Sequence, residues 1–442
     1  KSKQKKMMLT GGALLSSLLR REGKASEVGH SLCRHFCSTL RKKGIKDDDV
    51  VILGGARTPI GRFLGALAPL KGPQLGSVAI RGALEKTGVA PEQVEEVYLG
   101  NVVGAGAGQA PARQAALGAG LPTTVPCTTV NKVCASGLKS VSLAAQAIKC
   151  RDRDLVIAGG FESMSNIPHY LPNLRSGQKM GAGTLIDGAI HDGLWDVYND
   201  QHMGMCGEIC AEKFGFSREA QDAYALESYA RARRARDAGL LDGEIVPVEV
   251  PVRAGLMVVD RDEEDLAPDP QRLRALRPAF KKDGTVTAAN ASSLNDGAAA
   301  LIVASGAKAR ALGLTPIAKI LSYADAARDP VEFTVAPADA VRQACARAGG
   351  LEPRSLRRHE INEAFAVVPL ANARLLGIDD LGIVNPWGGA VAIGHPIGMS
   401  GARIALSLAR GLHQEGGRAV GCASICNGGG GASALILASI DF

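Results

Sequence analysis

Short apolar runs alternate with amphipathic stretches from Asp49 onwards, and this alternation constrains the fold more than any other feature. The runs DVVILGG, VEEVYLG and DLVIAGG have the composition of strands, and LGSVAIRGALEKTG has the spacing of a helix that ends at a glycine. Strands that alternate with helices predict α/β layers, with helices packed on sheets. The pattern breaks at about residue 164 and resumes near Ala318, which predicts an inserted lobe between two α/β segments.

Two helical stretches of the chain echo each other. ASGLKSVSLAAQAI (135–148) aligns at a fixed offset with MSGARIALSLARGL (399–412), and three pairs match in place: Ser136/Ser400, Gly137/Gly401 and Lys139/Arg403. A Ser-Gly before a helix is common, so the echo alone is weak. Together with the resumed alternation it predicts a duplicated α/β unit with a site between the copies.

The net charge of +7 is located at the N-terminus. Residues 1–46 contain twelve Lys or Arg and two Glu, a charge of +10 that leaves −3 for the rest, so a phosphate-binding face for nucleic acid is not predicted. A basic, Ser-containing, acid-poor segment is typical of an organelle transit peptide; the alternative is a disordered basic tail. No run of about 18 apolar residues predicts a membrane span. Ten cysteines without repeated disulfide spacing favour a reducing compartment.

Cys134, in NKVCASGLKS, stands between an apolar residue and small ones just before a predicted helix. One interpretation is a buried structural cysteine, because free Cys often behaves as a small hydrophobe. The other is a nucleophile at a helix N-terminus, where backbone N–H groups favour the thiolate.

Three stretches near the C-terminus favour the second interpretation: HEINEAFAVVPLA, NPWGGAVAIGHPIGMSGARI and CASICNGGGGASALIL. Taken singly, His395 could be a satisfied loop histidine and Cys426 a core cysteine. Taken together, two thiols and a histidine at glycine-rich turns predict covalent acyl transfer, with backbone N–H donors for an oxyanion. A zinc site is disfavoured, because the pairs Cys33/Cys37, Cys206/Cys210 and Cys422/Cys426 belong to no paired CxxC or HExxH pattern.

The motifs ARTPIG, KVCASGLKS, GGFESMSN, NEAFA, GGAVAIGHPIGMSGARI and CNGGGGASA occur in this order, and over residues 48–440 the chain resembles the thiolases. DVYNDQHMG, GTVTAANAS and the basic leader resemble the mitochondrial short-chain type. The resemblance implies an α/β thiolase fold of two related βαβ-type halves, layered α/β/α/β/α, with an inserted loop domain. The expected bounds are a leader at 1–46, an N-terminal half at 47–163 and 295–313, a CoA-binding loop domain at 164–294, and a C-terminal half at 314–442.

The activity implied by the resemblance is the reversible condensation of two acetyl-CoA molecules to acetoacetyl-CoA and CoA. The resemblance also implies the thiolytic cleavage of short-chain 3-ketoacyl-CoA, for which 2-methyl-branched compounds are candidate substrates. The alternative within the family is a broader-chain thiolase of β-oxidation. The resemblance implies CoA thioesters as substrates, no covalently bound cofactor, a homotetramer built as a dimer of dimers, and no nucleic-acid or membrane partner.

The resemblance also assigns roles to residues. Cys134 would carry the acyl group, His395 would take its proton, and Cys426 would be the second acid/base. Asn362 would hold a water that, with His395, stabilises an enolate, and the N–H groups of Cys134 and Gly428 would form the other oxyanion hole. The implied substrate- and CoA-binding residues are Tyr198, His202, Met203, Asp269, Arg272, Ser292 and Phe365. A potassium ion would be held by Tyr198, Ala288, Ala289, Ala291 and Val391.

Three positions depart from the family pattern: Phe161, Trp387 and Ala267, where Met, Asn and Arg are more usual. Two other classes stay open. A decarboxylating ketoacyl synthase would pair its cysteine with two histidines or with His and Asn, and Cys426 argues against it. A non-catalytic acyl-CoA-binding relative would not need Cys134, His395 and Cys426 together.

Overall fold

The computed structural model describes residues 45–253, 255–264 and 269–440. Apart from its last two residues, the predicted leader lies outside the described residues, and so does Ala267.

In chain order the strands are β1 (Val50–Arg57), β2 (Gly61–Arg62), β3 (Glu96–Gly100), β4 (Cys127–Val130), β5 (Leu155–Ser163), β6 (His169–Tyr170), β7 (Ile186–Asp187), β8 (Trp195–Asp196), β9 (Gln201–His202), β10 (Val248–Val252), β11 (Gly255–Val259), β12 (Asn295–Ser305), β13 (Ala318–Ala327), β14 (Arg358–Ile361), β15 (Val420–Asn427) and β16 (Gly431–Ser439). The α-helices are α1 (Gly72–Thr87), α2 (Pro111–Gly118), α3 (Ser136–Lys149), α4 (Met203–Phe214), α5 (Arg218–Asp237), α6 (Pro270–Ala275), α7 (Gly306–Ala311), α8 (Ala336–Arg347), α9 (Val367–Leu376), α10 (Ala390–Ile393) and α11 (Ser400–Glu415). Short 3₁₀ helices lie at Pro91–Gln93, Met164–Asn166, Pro330–Val335, Pro353–Ser355 and Leu381–Ile383, and a π-helical turn lies at Ala189–Leu194.

The main sheet has ten strands, and eight of them form two copies of one strand order, with β4 beside β3 and β2 beside β12 as additions. In the first copy β1, β12, β5 and β3 lie side by side, paired antiparallel, antiparallel and parallel. In the second copy β13, β16, β15 and β14 have the same order and the same three pairings. A short antiparallel pairing of Val51 with Lys319 and Ile52 with Ala318 joins the copies. The repeated topology is what the echo between the two helical stretches predicts.

The sheet halves and helices form layers. Helix α1 packs on β1, β5 and β12, and α8 packs on β13, β15 and β16. Helices α3 and α11 contact each other and strands of both copies, so they form the layer between the sheets. Alternate residues of β5 show the two faces: the Phe161 ring packs against α1, whereas Gly160 faces the backbone of Gly398 just before α11. The layer order is therefore α/β/α/β/α, as the resemblance implies.

Two matched glycines let the central helices meet backbone to backbone. A Cβ at Gly137 in α3 would lie 2.7 Å from the backbone nitrogen of Ala402 in α11, and a Cβ at Gly401 would collide with Leu138 of α3. A methyl group at either position would push the helices apart. This contact brings the N-terminal ends of both helices close together.

The segment between β5 and β12 adds no strand to the main sheet within the described residues. It contains α4, α5, α6 and short two-stranded pairs, and α4 packs into the core formed by the C-terminal copy. Ser217 caps α5 by accepting the N–H of Ala220, which fixes the residue at which this helix begins. The predicted domain bounds stay a prediction. None of the described helices combines the length and apolar character that a membrane crossing requires.

Two of the departures from the family pattern are accommodated by their neighbours. The ring of Phe161 fills space left by two glycines of α1, since a Cβ at Gly72 or Gly76 would lie 2.9 or 2.8 Å from it. Trp387 packs with Leu241 and Ala235, and the Arg358 guanidinium lies 4.0 Å from the centre of its ring. A cation over an indole face is a favourable contact.

Candidate active site

Cys134 lies in a tight turn between β4 and α3. Val133 has φ +46°, which is unusual for a β-branched residue and marks a strained backbone. The Ser136 hydroxyl fixes this turn: it donates to the Val133 carbonyl at 2.6 Å and accepts the Lys132 N–H at 2.8 Å. The cysteine is therefore held in an exact position ahead of the helix.

The environment of the Cys134 thiol acts on its pKa in two opposite directions. Burial raises the pKa to about 11, although hydrogen bonds from the N–H groups of Gly428 and Cys134 itself lower it. The backbone donors favour the thiolate, as expected ahead of a helix, but the loss of water outweighs them. Cys134 is a thiol at neutral pH and needs a base.

His395 is placed to be that base. It is 5% exposed, its backbone N–H donates to Asn295 Oδ1 at 2.8 Å, and its ring Nδ1 lies 2.6 Å from Ser400 Oγ. Burial, and secondarily the positive charge of Arg403, lowers the pKa of His395 to about 3. The imidazole is neutral at physiological pH and has a free nitrogen to accept a proton.

Asn362 lies beside the other ring nitrogen of His395. Its Nδ2 is 3.5 Å from His395 Nε2, at the outer limit of a hydrogen bond. Its Oδ1 is buried and accepts no hydrogen bond from the described residues, so it is free to hold the water that the resemblance implies.

Cys426 lies on β15 in the hydrophobic core, where it pairs with Ala432 of β16 and is 1% exposed. Burial raises its pKa well above the usual range, and the neighbouring Cys134 raises it further. A thiolate in such a place is a strong base.

A cavity of about 390 Å³ opens in front of these groups. Eight of the residues predicted from the sequence line it: Cys134, His202, Met203, Ala288, Ala291, Ser292, Phe365 and His395. The rest of its wall is mainly apolar, with Phe280, Phe333 and Ile397 among its members. Asn362, Gly428 and Cys426 do not line the cavity and belong to the layer around Cys134 and His395. The structure does not bring Tyr198, Asp269, Arg272, Ala289 or Val391 to its wall.

The CoA-side residues have definite contacts. Ser292 donates both its N–H and its hydroxyl to the Ala364 carbonyl at 3.0 Å, which fixes the loop before β12 against the strand that carries Asn362. His202 accepts the Gly204 N–H at 3.0 Å and stacks on Phe280, with ring centres 4.7 Å apart. Asp269 is exposed and caps α6 by accepting the Gln271 N–H at 3.0 Å. Asp269 therefore has a structural role at the start of α6.

Four buried polar residues that sequence reasoning missed support the site. Glu162 accepts the N–H groups of Val102 and Val103 and the amide of Asn101, and it also binds the Gly398 backbone in the His395 loop. Asn295 accepts the backbone N–H of His395, and Ser400 hydrogen-bonds the His395 ring. Glu363, next to Asn362, accepts hydrogen bonds from Tyr224 of α5 and from Asn385. Glu162, Glu363 and Ser400 lie inside the motifs that carry the resemblance, which is their only sequence signal, and Asn295 lies three residues beyond GTVTAANAS.

Comparison with known proteins decides the family. Residues 50–307 match the model described as the thiolase N-terminal domain, and residues 314–439 match the thiolase C-terminal domain. The chain belongs to the thiolase family. Thiolases are acyltransferases, and this chain is an enzyme of that class.

Named relatives and a solved structure match this thiolase over most of its length. It is 56% identical over 392 residues to acetyl-CoA acetyltransferase 1 of Arabidopsis thaliana, covering 88% of this chain and 94% of the relative. It is 51% identical over 392 residues to the mitochondrial acetyl-CoA acetyltransferase of Rattus norvegicus, covering 88% and 91%. It is 53% identical over 394 residues to a cytosolic acetyl-CoA acetyltransferase of Gibberella zeae, covering 89% and 98%. The crystal structure of an Ascaris suum thiolase in complex with coenzyme A superposes with a TM-score of 0.83 at 43% identity, covering 89% of this chain and all of that one.

Proposed function

We propose that this thiolase is an acetyl-CoA C-acetyltransferase that condenses two acetyl-CoA molecules through an acyl-Cys134 intermediate and also catalyses the reverse cleavage. The observation that carries the proposal is the surroundings of one sulfur atom. Cys134 Sγ receives the N–H groups of Gly428 and Cys134 and faces the same cavity as the neutral His395. A nucleophile, a base and an oxyanion site thus converge on one point.

In the first half-reaction His395 takes the proton of the Cys134 thiol while the sulfur attacks the acetyl carbon of acetyl-CoA. The carbon–sulfur bond to CoA then breaks, and the proton leaves with the CoA thiol. The N–H groups that now reach Cys134 Sγ are placed to bind the negative oxygen of the tetrahedral intermediate. The thiol pKa of about 11 explains why a separate base is required.

In the second half-reaction neutral His395 takes the Cys426 proton, and the resulting thiolate removes a proton from the methyl group of a second acetyl-CoA. The carbanion attacks the acetyl group on Cys134, acetoacetyl-CoA forms, and the Cys134 thiolate that leaves takes back the proton held by His395, while Cys426 keeps the methyl proton. The buried surroundings of Cys426 make its thiolate a strong base, which a weakly acidic C–H group requires. Asn362 and His395 would stabilise the enolate oxygen through a water on the free Oδ1.

The substrate class rests on the relatives' names and on the cavity. Several relatives are named acetyl-CoA acetyltransferases, and the apolar cavity ends at Cys134. Loss of the acetoacetyl-CoA enolate absorbance on addition of CoA tests the proposal. Cleavage of acetoacetyl-CoA and 2-methylacetoacetyl-CoA, with longer 3-ketoacyl-CoA turned over much more slowly, is the expected result. Equal turnover of long chains would favour the broader-chain thiolase of β-oxidation instead.

A potassium ion is part of the proposal. The carbonyl oxygens of Ala288, Ala289 and Ala291 accept no hydrogen bond from the described residues, so they are free to bind a large monovalent cation. Tyr198 would add its hydroxyl and Val391 its carbonyl. A cation there would hold the loop that carries Ser292 against the neighbouring strand.

We also propose that the protein acts in the mitochondrial matrix. Relatives named mitochondrial and cytosolic both match, so the support for this location comes from the basic, acid-poor composition of residues 1–46. Fusing residues 1–46 to a fluorescent reporter and imaging its location tests the proposal. Cytosolic fluorescence would exclude it.

The proposed homotetramer has a surface that could support it. Leu174, Met180 and Leu185 lie between β6 and β7 and are 62%, 93% and 65% exposed, so this segment presents apolar side chains that a partner copy would cover. Mass photometry of the purified protein should show four copies. A monomer at micromolar concentration would exclude the tetramer.

A further inference from the structure

The geometry points to Ser400 as a positioning residue that fixes the tautomer of His395, with the proton on Nδ1 and Nε2 free to act as the base. This inference rests on the proposed function, because it explains how the proposed base is prepared. Ser400 is the first residue of α11, is 1% exposed, and places its hydroxyl 2.6 Å from His395 Nδ1.

The count of protons at Ser400 decides the direction of that hydrogen bond. A serine hydroxyl has one proton to donate and two lone pairs that accept. The Ser400 hydroxyl donates to the Pro396 carbonyl at 2.9 Å, and a carbonyl can only accept. The short contact to His395 must then be a bond from Nδ1–H to the serine oxygen.

The opposite side of the ring supports the same tautomer. Asn362 presents its Nδ2 amide, a donor, towards His395 Nε2 at 3.5 Å. A donor faces an acceptor favourably, so this contact favours the tautomer whose Nε2 carries no proton. A histidine nitrogen without a proton is the one that can accept the Cys134 proton.

The tautomer matters because His395 can act as the base for Cys134 only when its Nε2 carries no proton. With the proton on Nε2, His395 would present a donor to Cys134 and could not take its proton. Ser400 also has an acceptor ready for Nδ1–H when the ring becomes charged, which stabilises the imidazolium formed during proton transfer. The loop of His395 is held separately, through Asn295 and Glu162, so Ser400 acts on the ring and not on the path of the chain.

The test compares Ser400→Ala with Ser407→Ala, a matched control. Ser407 lies two turns further along α11, is 4% exposed, and hydrogen-bonds Glu244, far from the His395 ring. We expect Ser400→Ala to acetylate Cys134 about 10- to 100-fold more slowly than Ser407→Ala, with KM for acetyl-CoA and the melting temperature matching between the two variants. The acid limb of the pH profile for acylation should also move to lower pH, since the charged ring has lost an acceptor. Acylation within about threefold of the control, with an unmoved pH profile, would overturn the inference.

A direct measurement covers the case in which Ser400→Ala does not fold. Protein labelled with ¹⁵N-histidine reports the tautomer of each ring through its nitrogen shifts, and His395→Gln identifies the signal of His395. The expected spectrum has a protonated Nδ1 and an unprotonated Nε2; the reverse would overturn the inference. If His395→Gln acylates Cys134 at the normal rate, the proposed function fails. If His395→Gln loses acylation and Ser400→Ala keeps it, only the role of Ser400 fails.

Discussion

The ammonium group of Lys132 lies 2.6 Å from the carboxylate of Asp325, and this ion pair joins the turn that carries Cys134 to the other copy of the fold. Lys132 Nζ also donates to the Ala432 carbonyl at 2.9 Å, and Ala432 is the register partner of Cys426. Burial would raise the pKa of Asp325, but hydrogen bonds from Lys132, Lys139 and Ser433 lower it to about 2. One side chain thus connects the surroundings of both thiols.

Lys132→Met should lower both stability and kcat. Its control is Lys139→Met, because Lys139 binds the same carboxylate at 2.7 Å but lies outside the Cys134 turn. Each variant should lose roughly 1 kcal/mol of unfolding free energy in urea titrations, since the pair is partly exposed. Only Lys132→Met should lower kcat, by up to about tenfold, because the nucleophile turn loses its tie to the second copy. Equal kcat values in the two variants would contradict this role.

Cys134→Ser should abolish turnover, because a hydroxyl with a much higher pKa is a poor nucleophile towards a thioester. Thiolysis of acetoacetyl-CoA should fall more than about 1000-fold. Cys127→Ser, a half-buried cysteine on β4, should retain normal activity and serves as the control. Substantial turnover by Cys134→Ser would remove the cysteine from its proposed role.

Cys426→Ser should separate the two half-reactions. Acetyl-Cys134 still forms, since His395 is intact, while condensation falls by about 100-fold or more because the second base is lost. Radiolabelled acetyl-CoA and acid quenching measure the trapped thioester. A variant that fails to accumulate label would show that the cysteine roles are not separate.

Acid should destabilise the protein through its buried neutral histidines. Burial lowers the pKa of His359 to about 4 and that of His395 to about 3, both from 6.5. The unfolded chain binds protons below pH 6.5 while the folded chain does not, so stability present above pH 6.5 is lost as pH falls towards 4. Each histidine should cost about 2 kcal/mol of unfolding free energy between pH 7 and 5.

His359→Gln should remove the contribution of one histidine to the unfolding free energy that is lost between pH 7 and pH 5. Exposed His413→Gln should leave the acid sensitivity unchanged and is the control. Urea midpoints at pH 7 and pH 5 measure it. Identical pH dependence in wild type and His359→Gln would show that His359 titrates normally.

Activity and melting temperature should be higher in KCl than in NaCl at equal ionic strength, since a cation bound to the native state stabilises it by mass action. Matching ionic strength matters because general screening affects both salts alike. Tyr198→Phe should shrink the difference, and Tyr170→Phe, on a neighbouring segment, should not. Identical behaviour in both salts would exclude the site.

Local pattern was enough to predict the elements that carry the site. The spacing of apolar residues predicts β1, β5, α1 and α3, and the echo between two stretches predicts that α3 and α11 are equivalent, because those signals lie within single segments.

The chemistry inside the site depends on contacts that no local pattern contains. Burial raises the pKa of Cys134, and a hydrogen bond from the N–H of Gly428, which lies almost 300 residues further along the chain, lowers it in part. The Lys132–Asp325 pair and the Ser400 contact to His395 need two chain segments to be placed exactly. Carbonyl oxygens such as those of Ala288 and Ala291 leave no mark in the sequence, because every residue has one.

The close approach of Gly137 and Gly401 has a consequence for symmetry. At the offset that matches the two helices, Gly398 stands where the first copy has Cys134, and Asn131 stands where the second copy has His395. Each copy has therefore kept one reactive group at its helix start and has a chemically inert residue at the other position. Two equivalent helix ends, brought together by a glycine contact, form one asymmetric site instead of two symmetric ones, so neither copy could perform the reaction without its twin.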